Sequence, residues 1–99
     1  MKITDKDLEL AKGNVEELIT SINNYHIAVA GARNFCGDHD NKGIRDGLFR
    51  TGCALSGLVL VPYGNISNYP SWWRTYLDES VDPPERYWIL PRNDFMKYI

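Results

Sequence analysis

"YHIAVAGARNF", residues 25–35, is the stretch on which the fold of this chain depends, because so short an apolar run fits two structures. As a strand, Tyr25–Ala30 follows the paired asparagines Asn23 and Asn24, which are typical of a helix end, and Gly31 closes it. As a helix, it would continue the preceding one and place positions 22, 26, 29, 30 and 33 on one face. We take the asparagine pair to favour the strand.

Outward from this stretch, helical and extended segments alternate. Helices are predicted over residues 4–23, 43–51 and 71–79, and strands over 25–30, 58–61 and 86–90. The run Leu58-Val-Leu-Val61 is apolar at every position, as in a strand covered on both faces. The alternation predicts one small α/β domain over residues 1–99, with a three-stranded, largely parallel sheet. If residues 25–35 are helical instead, the alternative is a mainly α-helical hairpin with an aromatic-rich C-terminal segment.

Composition narrows the classes of function. The net charge of −2 over 99 residues offers no basic excess for a nucleic-acid backbone, so duplex binding is not expected. No run of about 18 apolar residues exists that would span a membrane. The first ten residues, MKITDKDLEL, lack the apolar region of a signal peptide. Free thiols at Cys36 and Cys53 fit this reading, and we expect a cytoplasmic protein.

The polar stretch "FCGDHDNKG", residues 35–43, resembles a metal or catalytic site in its residue types. Cys36 and His39 form one C-x-x-H pair, but zinc sites combine two such pairs, and the second is missing. We therefore predict no metal, no cofactor and no catalytic residue here. We expect a turn in which Asp40 or Asn41 caps the following helix, with His39 exposed and Cys36 buried.

Aromatic side chains are concentrated after residue 62, more than a core of this size is expected to bury. On a helix, the neighbouring rings of Trp72 and Trp73 would point about 100° apart, so at least one would face outward. Aromatic residues and arginine dominate protein–protein hot spots. The predicted partner-binding residues are Trp72, Trp73, Arg74, Tyr76, Arg86 and Trp88. The first functional hypothesis is thus a non-enzymatic binding protein, of the inhibitor, immunity or phage-type accessory kind, or one that self-associates.

The second hypothesis places a ligand at the ends of the predicted strands. In parallel sheets, ligands bind outside the carboxyl ends of the strands, and arginine and asparagine there suit an anion. The residues that would meet at this edge are Arg33, Asn34, Asn65, Arg92, Asn93 and Asp94. This hypothesis describes a protein that binds a nucleotide or another phosphate ligand, and it leaves open whether that protein is an enzyme.

Overall fold

The computed structural model describes residues 15–37 and 39–92. Two helices come first, α1 at Val15–Cys36 and α2 at Lys42–Leu55. They are followed by strand β1 at Leu58–Pro62, a short 3-10 helix at Tyr63–Asn65, strand β2 at Arg74–Asp78 and strand β3 at Glu85–Pro91. In the described part of the chain, no helix has the length and apolarity needed to cross a membrane.

Residues 25–30 form the middle of helix α1, so the predicted strand there is wrong and the helical alternative is correct for this stretch. Ile22, Tyr25, Val29, Ala32 and Cys36 recur at spacings of three and four and are all buried. The asparagines at 23 and 24 lie on the opposite, exposed side. Burial of one apolar face outweighs the weak tendency of asparagine to end a helix. The predicted helix start near Thr4 lies outside the described residues.

Helix α2 begins as the sequence predicts. The Asn41 side chain accepts a hydrogen bond from the Ile44 backbone N–H at 3.1 Å and caps the helix. Gly37, with φ of 68°, lets the chain turn after α1. His39 is exposed and Cys36 is buried, both as predicted. Together α1 and α2 form a helical hairpin, as the mainly α-helical alternative predicts, but this alternative is incomplete because the aromatic-rich C-terminal segment belongs to a three-stranded sheet.

The predicted largely parallel sheet is wrong, because all pairing in the sheet is antiparallel and the strand order is β1-β3-β2. Residues 74–78 form strand β2 rather than a helix, so no crossover helix joins β1 to β3. The strands predicted at 58–61 and 86–90 are confirmed within β1 and β3. The result is a small α+β domain with the helices on one face of an antiparallel sheet.

The aromatic residues in β2 and in the segment directly before it are packed without forming a helix. In an extended chain, alternate side chains point to opposite faces. Trp72, Tyr76 and Asp78 turn toward the helices, where Tyr76 stacks on Phe49 at 4.1 Å between ring centroids. Trp73 turns to the other face and lies 5.4 Å from Trp88. Both tryptophans are buried, at 7% and 5% exposure, so the expectation that one faces outward is wrong.

In the part of the chain that the structure describes, the far face of the sheet is covered by an aromatic cluster. Tyr63 stacks on Trp88 at 4.8 Å, and Tyr69 lies 4.4 Å from the same ring. The Trp88 indole donates a hydrogen bond to the Tyr63 carbonyl oxygen at 3.2 Å. This covering explains why the apolar β1 sequence resembles a strand of a parallel sheet, since both of its faces contact other residues.

Candidate functional site

A cavity of about 590 Å³ lies between helix α1 and the segment that leads into β2. This volume falls in the range of small-ligand sites. Its lining residues are His26, Val29, Ala30, Arg33, Ser71, Trp72 and Arg74. We call it the Arg33–Arg74 cavity.

The two walls come from a helix and from a turn. Helix α1 contributes positions 26, 29, 30 and 33, whose spacing places them on one helical face. Opposite them, Trp72 lies in a turn in which the Trp73 N–H donates to the Pro70 carbonyl oxygen at 3.3 Å, and Arg74 begins strand β2. The cavity thus depends on the helical conformation of residues 25–35 and on the turn that leads into β2.

The charged side chains in this lining are all basic. Arg33 and Arg74 line the cavity together, and within residues 15–37 and 39–92 no aspartate or glutamate does. The Arg33 guanidinium donates one hydrogen bond to the Thr75 carbonyl oxygen at 3.0 Å. Among the described residues, the Arg74 side chain takes part in no ion pair. Since guanidinium groups stay protonated at any physiological pH, the cavity carries a fixed positive charge.

His26 adds a titratable group to the same cavity. Partial burial lowers the pKa of its imidazole, and the nearby positive charge of Arg74 lowers it further. The neutral imidazole is therefore favoured while the cavity is free of an anion. An anion close to both residues would act in the opposite direction and favour the imidazolium.

Trp72 gives the cavity a rigid apolar wall. Its ring meets Tyr25 edge-on, with 5.1 Å between centroids, and lies 6.4 Å from His26. The indole N–H is buried and has no hydrogen-bond partner in the described part of the chain. With Val29 and Ala30 on the helix side, the lining combines apolar surface with two guanidinium groups. Such a lining suits a ligand with an apolar body and an anionic group.

The structure separates the six predicted partner-binding residues. Trp72 and Arg74 line the cavity, whereas Trp73 and Trp88 are buried in the aromatic cluster of the far face. Tyr76 lies under helix α2, with its hydroxyl donating to Asp46 at 2.8 Å. Arg86 is exposed and donates to the Thr75 hydroxyl at 2.9 Å. Most of the aromatic surplus is thus used in packing.

The residues of the strand-end hypothesis are also separated. The sheet edge that would gather them does not exist, because the strands are antiparallel. Arg33 lines the main cavity, and Arg92 lines a smaller one of about 290 Å³ beside Asn24. Asn34 is exposed on α1, and Asn65 ends the short 3-10 helix. Asn93 and Asp94 lie outside the described residues.

The turn at residues 35–43 shows the contacts of a structural element. The Cys36 thiol donates to the Arg45 carbonyl oxygen at 3.2 Å. Among residues 15–37 and 39–92, no three His, Cys, Asp or Glu side chains come close enough to hold a metal ion. The other cysteine, Cys53, is buried, and this burial raises the pKa of its thiol to about 11, which leaves little thiolate near neutral pH.

A second polar cluster joins helix α2 to strand β2. The Arg50 guanidinium contacts Asp46 at 2.9 Å and Asp78 at 3.1 Å. The other oxygen of Asp78 accepts hydrogen bonds from the backbone and hydroxyl of Ser80. Hydrogen bonds from Ser80 are the largest influence that lowers the pKa of this carboxyl, and Arg50 adds to them. One guanidinium thus meets two carboxylates, which gives the cluster a net charge of −1, and the contacts of Arg50 hold helix α2 to strand β2.

Sequence reasoning missed four lining residues: His26, Val29, Ala30 and Ser71. The signal for the first three was present in the helical alternative for residues 25–35, which places 26, 29, 30 and 33 on one face. Ser71 had no signal of its own, because it enters the cavity through the turn before β2.

Comparison with known proteins gives no match: no family model fits this sequence, and no curated protein or solved structure is significantly similar to it.

Proposed function

We propose that this protein is a non-enzymatic binding protein that holds an anionic group, a carboxylate or a phosphate, in the Arg33–Arg74 cavity. The observation that carries the proposal is the pair of arginines that line one cavity without any carboxylate among its described lining residues. Guanidinium groups bind both oxyanions through paired hydrogen bonds. They do not exchange protons at neutral pH, so they supply binding rather than acid–base chemistry.

The free hydrogen-bonding capacity of the arginines supports this proposal. A guanidinium has five N–H donors in a fixed fork. Arg33 directs one of its nitrogens to Thr75, which fixes its orientation. The backbone N–H of Arg74 is held by the Tyr25 hydroxyl at 2.7 Å, which fixes the start of its side chain. Both groups are thus positioned before a ligand arrives, and positioning reduces the entropic cost of binding.

The biological setting stays a prediction from the sequence. An inhibitor, immunity or phage-type accessory role rests on the small size of the chain. A cytoplasmic location is part of the proposal and is supported by the two unpaired thiols, Cys36 and Cys53.

Arginine side-chain NMR signals test the proposal directly. The ¹⁵N-labelled protein is titrated with inorganic phosphate and, separately, with succinate, and the Nε–H signals of Arg33 and Arg74 are followed. We expect saturable shifts of both signals with at least one of the two anions. The titration that saturates first shows whether phosphate or carboxylate is the preferred group.

Two matched variants complete the test. Arg74→Gln removes one guanidinium and keeps the backbone N–H that contacts Tyr25, so we expect affinity to fall by about tenfold. Arg92→Gln removes an arginine outside the cavity and is expected to leave affinity within about twofold. Equal affinity of the Arg74→Gln variant and the unmodified protein, or shifts that do not saturate with either anion, would contradict the proposal.

A further inference from the structure

Strand β2 is an edge strand, since β3 pairs with it on one side and no described strand pairs with it on the other. Backbone contacts show which residues face outward. The N–H of Arg92, the residue directly after β3, donates to the Gly57 carbonyl oxygen at 2.8 Å. The backbone N–H and C=O groups of even-numbered residues of β3 therefore point toward β1, and those of odd-numbered residues point toward β2. Arg74, Tyr76 and Asp78 pair with these odd-numbered residues and turn their backbone groups inward.

Thr75 and Leu77 consequently turn their backbone N–H and C=O groups away from the sheet. The contact of Arg33 with the Thr75 carbonyl oxygen agrees with this direction. For Leu77, no backbone partner on the outer side is found in the described part of the chain. Exposed groups of this kind form a template for an additional strand.

Three arginines border this edge. Arg33 contacts the Thr75 backbone, and Arg86 contacts the Thr75 hydroxyl on the far face. Arg74 begins the strand and lines the cavity. An extended chain lying beside Thr75 and Leu77 would therefore have arginine on both of its faces.

We propose that the natural occupant is an acidic peptide segment of a partner protein, which adds to the open edge of β2 and places a carboxylate in the Arg33–Arg74 cavity. This inference rests on the proposed function and names its ligand class. Strand addition supplies main-chain hydrogen bonds, and pockets for alternate side chains supply specificity. Here the pocket is the cavity, and its charge selects a glutamate or an aspartate.

Binding adds hydrogen bonds and involves no covalent step. The Thr75 carbonyl oxygen has two lone pairs, so it accepts a hydrogen bond from a peptide N–H while it keeps the one from Arg33. The remaining N–H groups of Arg33 donate to the peptide carboxylate. Leu77 gains partners for its N–H and C=O groups from the same segment.

A second copy of this chain fits the edge less well than an acidic peptide. Antiparallel pairing of two β2 strands, with Thr75 opposite Leu77, would bring Arg74 of one copy opposite Asp78 of the other. Asp78 is 3% exposed, and its two oxygens are already occupied by Ser80 and Arg50. Glu79 is engaged with Lys42 at 3.4 Å. In this self-pairing, neither Asp78 nor Glu79 therefore offers Arg74 a free carboxylate, whereas an acidic peptide does.

Amide hydrogen exchange with a defined peptide tests this inference. The ¹⁵N-labelled full chain is mixed with the synthetic peptide acetyl-Thr-Val-Glu-Val-Glu-Val-Thr-amide at millimolar concentration. We expect exchange of the Thr75 and Leu77 amides to slow by about tenfold or more, because both become hydrogen-bonded. The Arg74→Gln variant should bind the peptide about tenfold more weakly than Arg92→Gln does.

Two control peptides separate charge from strand pairing. Replacing both glutamates by lysine should abolish binding, and methylating every backbone nitrogen of the acidic peptide should abolish the protection of Leu77. If the arginine signals shift while the exchange of the Leu77 amide is unchanged, the carboxylates bind without strand addition. That result contradicts this inference but not the proposed anion-binding function. Absence of any shift with the peptide also overturns it. Protection of Leu77 without peptide, together with a doubled mass in sedimentation, would assign the edge to a second copy instead.

Discussion

Gly52 of helix α2 lies directly against the backbone of Ala32 in helix α1. A Cβ atom at Gly52 would lie 2.9 Å from the Ala32 carbonyl oxygen and 3.0 Å from its Cα, both closer than van der Waals contact allows. The two helices can therefore approach at this point only because residue 52 has no side chain. Since α1 carries one wall of the Arg33–Arg74 cavity, this crossing also helps to set the position of that wall.

Two glycines of the same helix give a matched test of this crossing. Gly52→Ala forces backbone atoms apart and is expected to lower the free energy of unfolding by about 1–3 kcal/mol. Gly47→Ala meets nothing within 4 Å and should raise it by about 0.5–1 kcal/mol, because alanine favours the helix. Urea denaturation of the two variants measures both values. Stabilisation by both substitutions would show that the helices do not approach so closely.

Tyr25 provides the second prediction, because its hydroxyl connects two strands. It donates to the Ile89 carbonyl oxygen at 2.8 Å and accepts from the Arg74 N–H at 2.7 Å. Tyr25→Phe leaves both buried backbone groups without this partner and should cost about 1–3 kcal/mol of unfolding free energy. Tyr87→Phe removes a hydroxyl that contacts exposed Glu85 and interacts with Arg50, and it should cost less, about 0.5–1 kcal/mol. Equal effects of the two substitutions would contradict the bridging role.

The same hydroxyl predicts a pH dependence. Burial is the main cause that raises the pKa of Tyr25 to about 12. Because the pKa in the folded state lies above the ordinary value of about 10, the associated stability is complete below pH 10 and is lost as pH rises through 12. The stability difference between the unmodified protein and Tyr25→Phe should therefore shrink over this range. Denaturation curves at pH 9 and pH 11.5 measure it.

The sequence predicted the elements whose signals are local. Asn41 caps α2 as its residue type and position indicate, and the strand at 58–61 follows from its apolar run. The helix over 71–79 was wrong because Trp72 and Trp73 fit a helical and an extended pattern equally well over a short window. Only packing on both faces of the sheet distinguishes the strand from a helix, and this packing involves residues such as Trp88 that are distant in sequence.

The candidate site was predicted only in part, for a related reason. Arg33 and Arg74 were both selected from the sequence, but for different sites. Their meeting depends on α1 continuing through residue 30 and on β2 lying at the sheet edge. Both are consequences of tertiary packing, so the sequence showed the charged groups without showing that they share a cavity.

Asp78 supplies a third prediction, at acid pH. Hydrogen bonds from Ser80, and then the contact with Arg50, lower the pKa of its carboxyl. A pKa lowered by folding gives stability that is present above the ordinary value, near 4, and is lost as pH falls through the lower one. Asp78→Asn should lower the free energy of unfolding by about 1–3 kcal/mol at pH 7. The free energy of unfolding of this variant should also depend less on pH between about pH 5 and pH 2 than that of the unmodified protein.

Glu79→Gln is the matched control for Asp78→Asn. Glu79 is exposed and pairs with Lys42 and Arg45 at 3.4 and 3.8 Å, so its removal should change unfolding free energy by less than about 1 kcal/mol. Thermal or urea denaturation across the pH range compares the two variants. A larger loss for Glu79→Gln than for Asp78→Asn would show that the buried cluster does not hold α2 to β2.

His26 reports on the charge of the cavity and gives the last prediction. Burial and then the charge of Arg74 lower the pKa of its imidazole. Arg74→Gln should raise this pKa without restoring the ordinary value of about 6.5, because burial remains. Arg92→Gln should leave it unchanged. NMR titration of the imidazole Cε1–H signal of His26 measures the pKa in each protein.

The same titration in the presence of sulfate tests whether an anion enters beside His26. Sulfate keeps its charge over this pH range, so a change in the measured pKa of His26 does not come from protonation of the anion. A bound anion favours the imidazolium, so sulfate should raise this pKa, and by linkage sulfate should bind more tightly at pH 5.5 than at pH 7.5. The effect should be smaller in Arg74→Gln. A His26 pKa that does not respond to sulfate in the unmodified protein would place any bound anion outside the Arg33–Arg74 cavity.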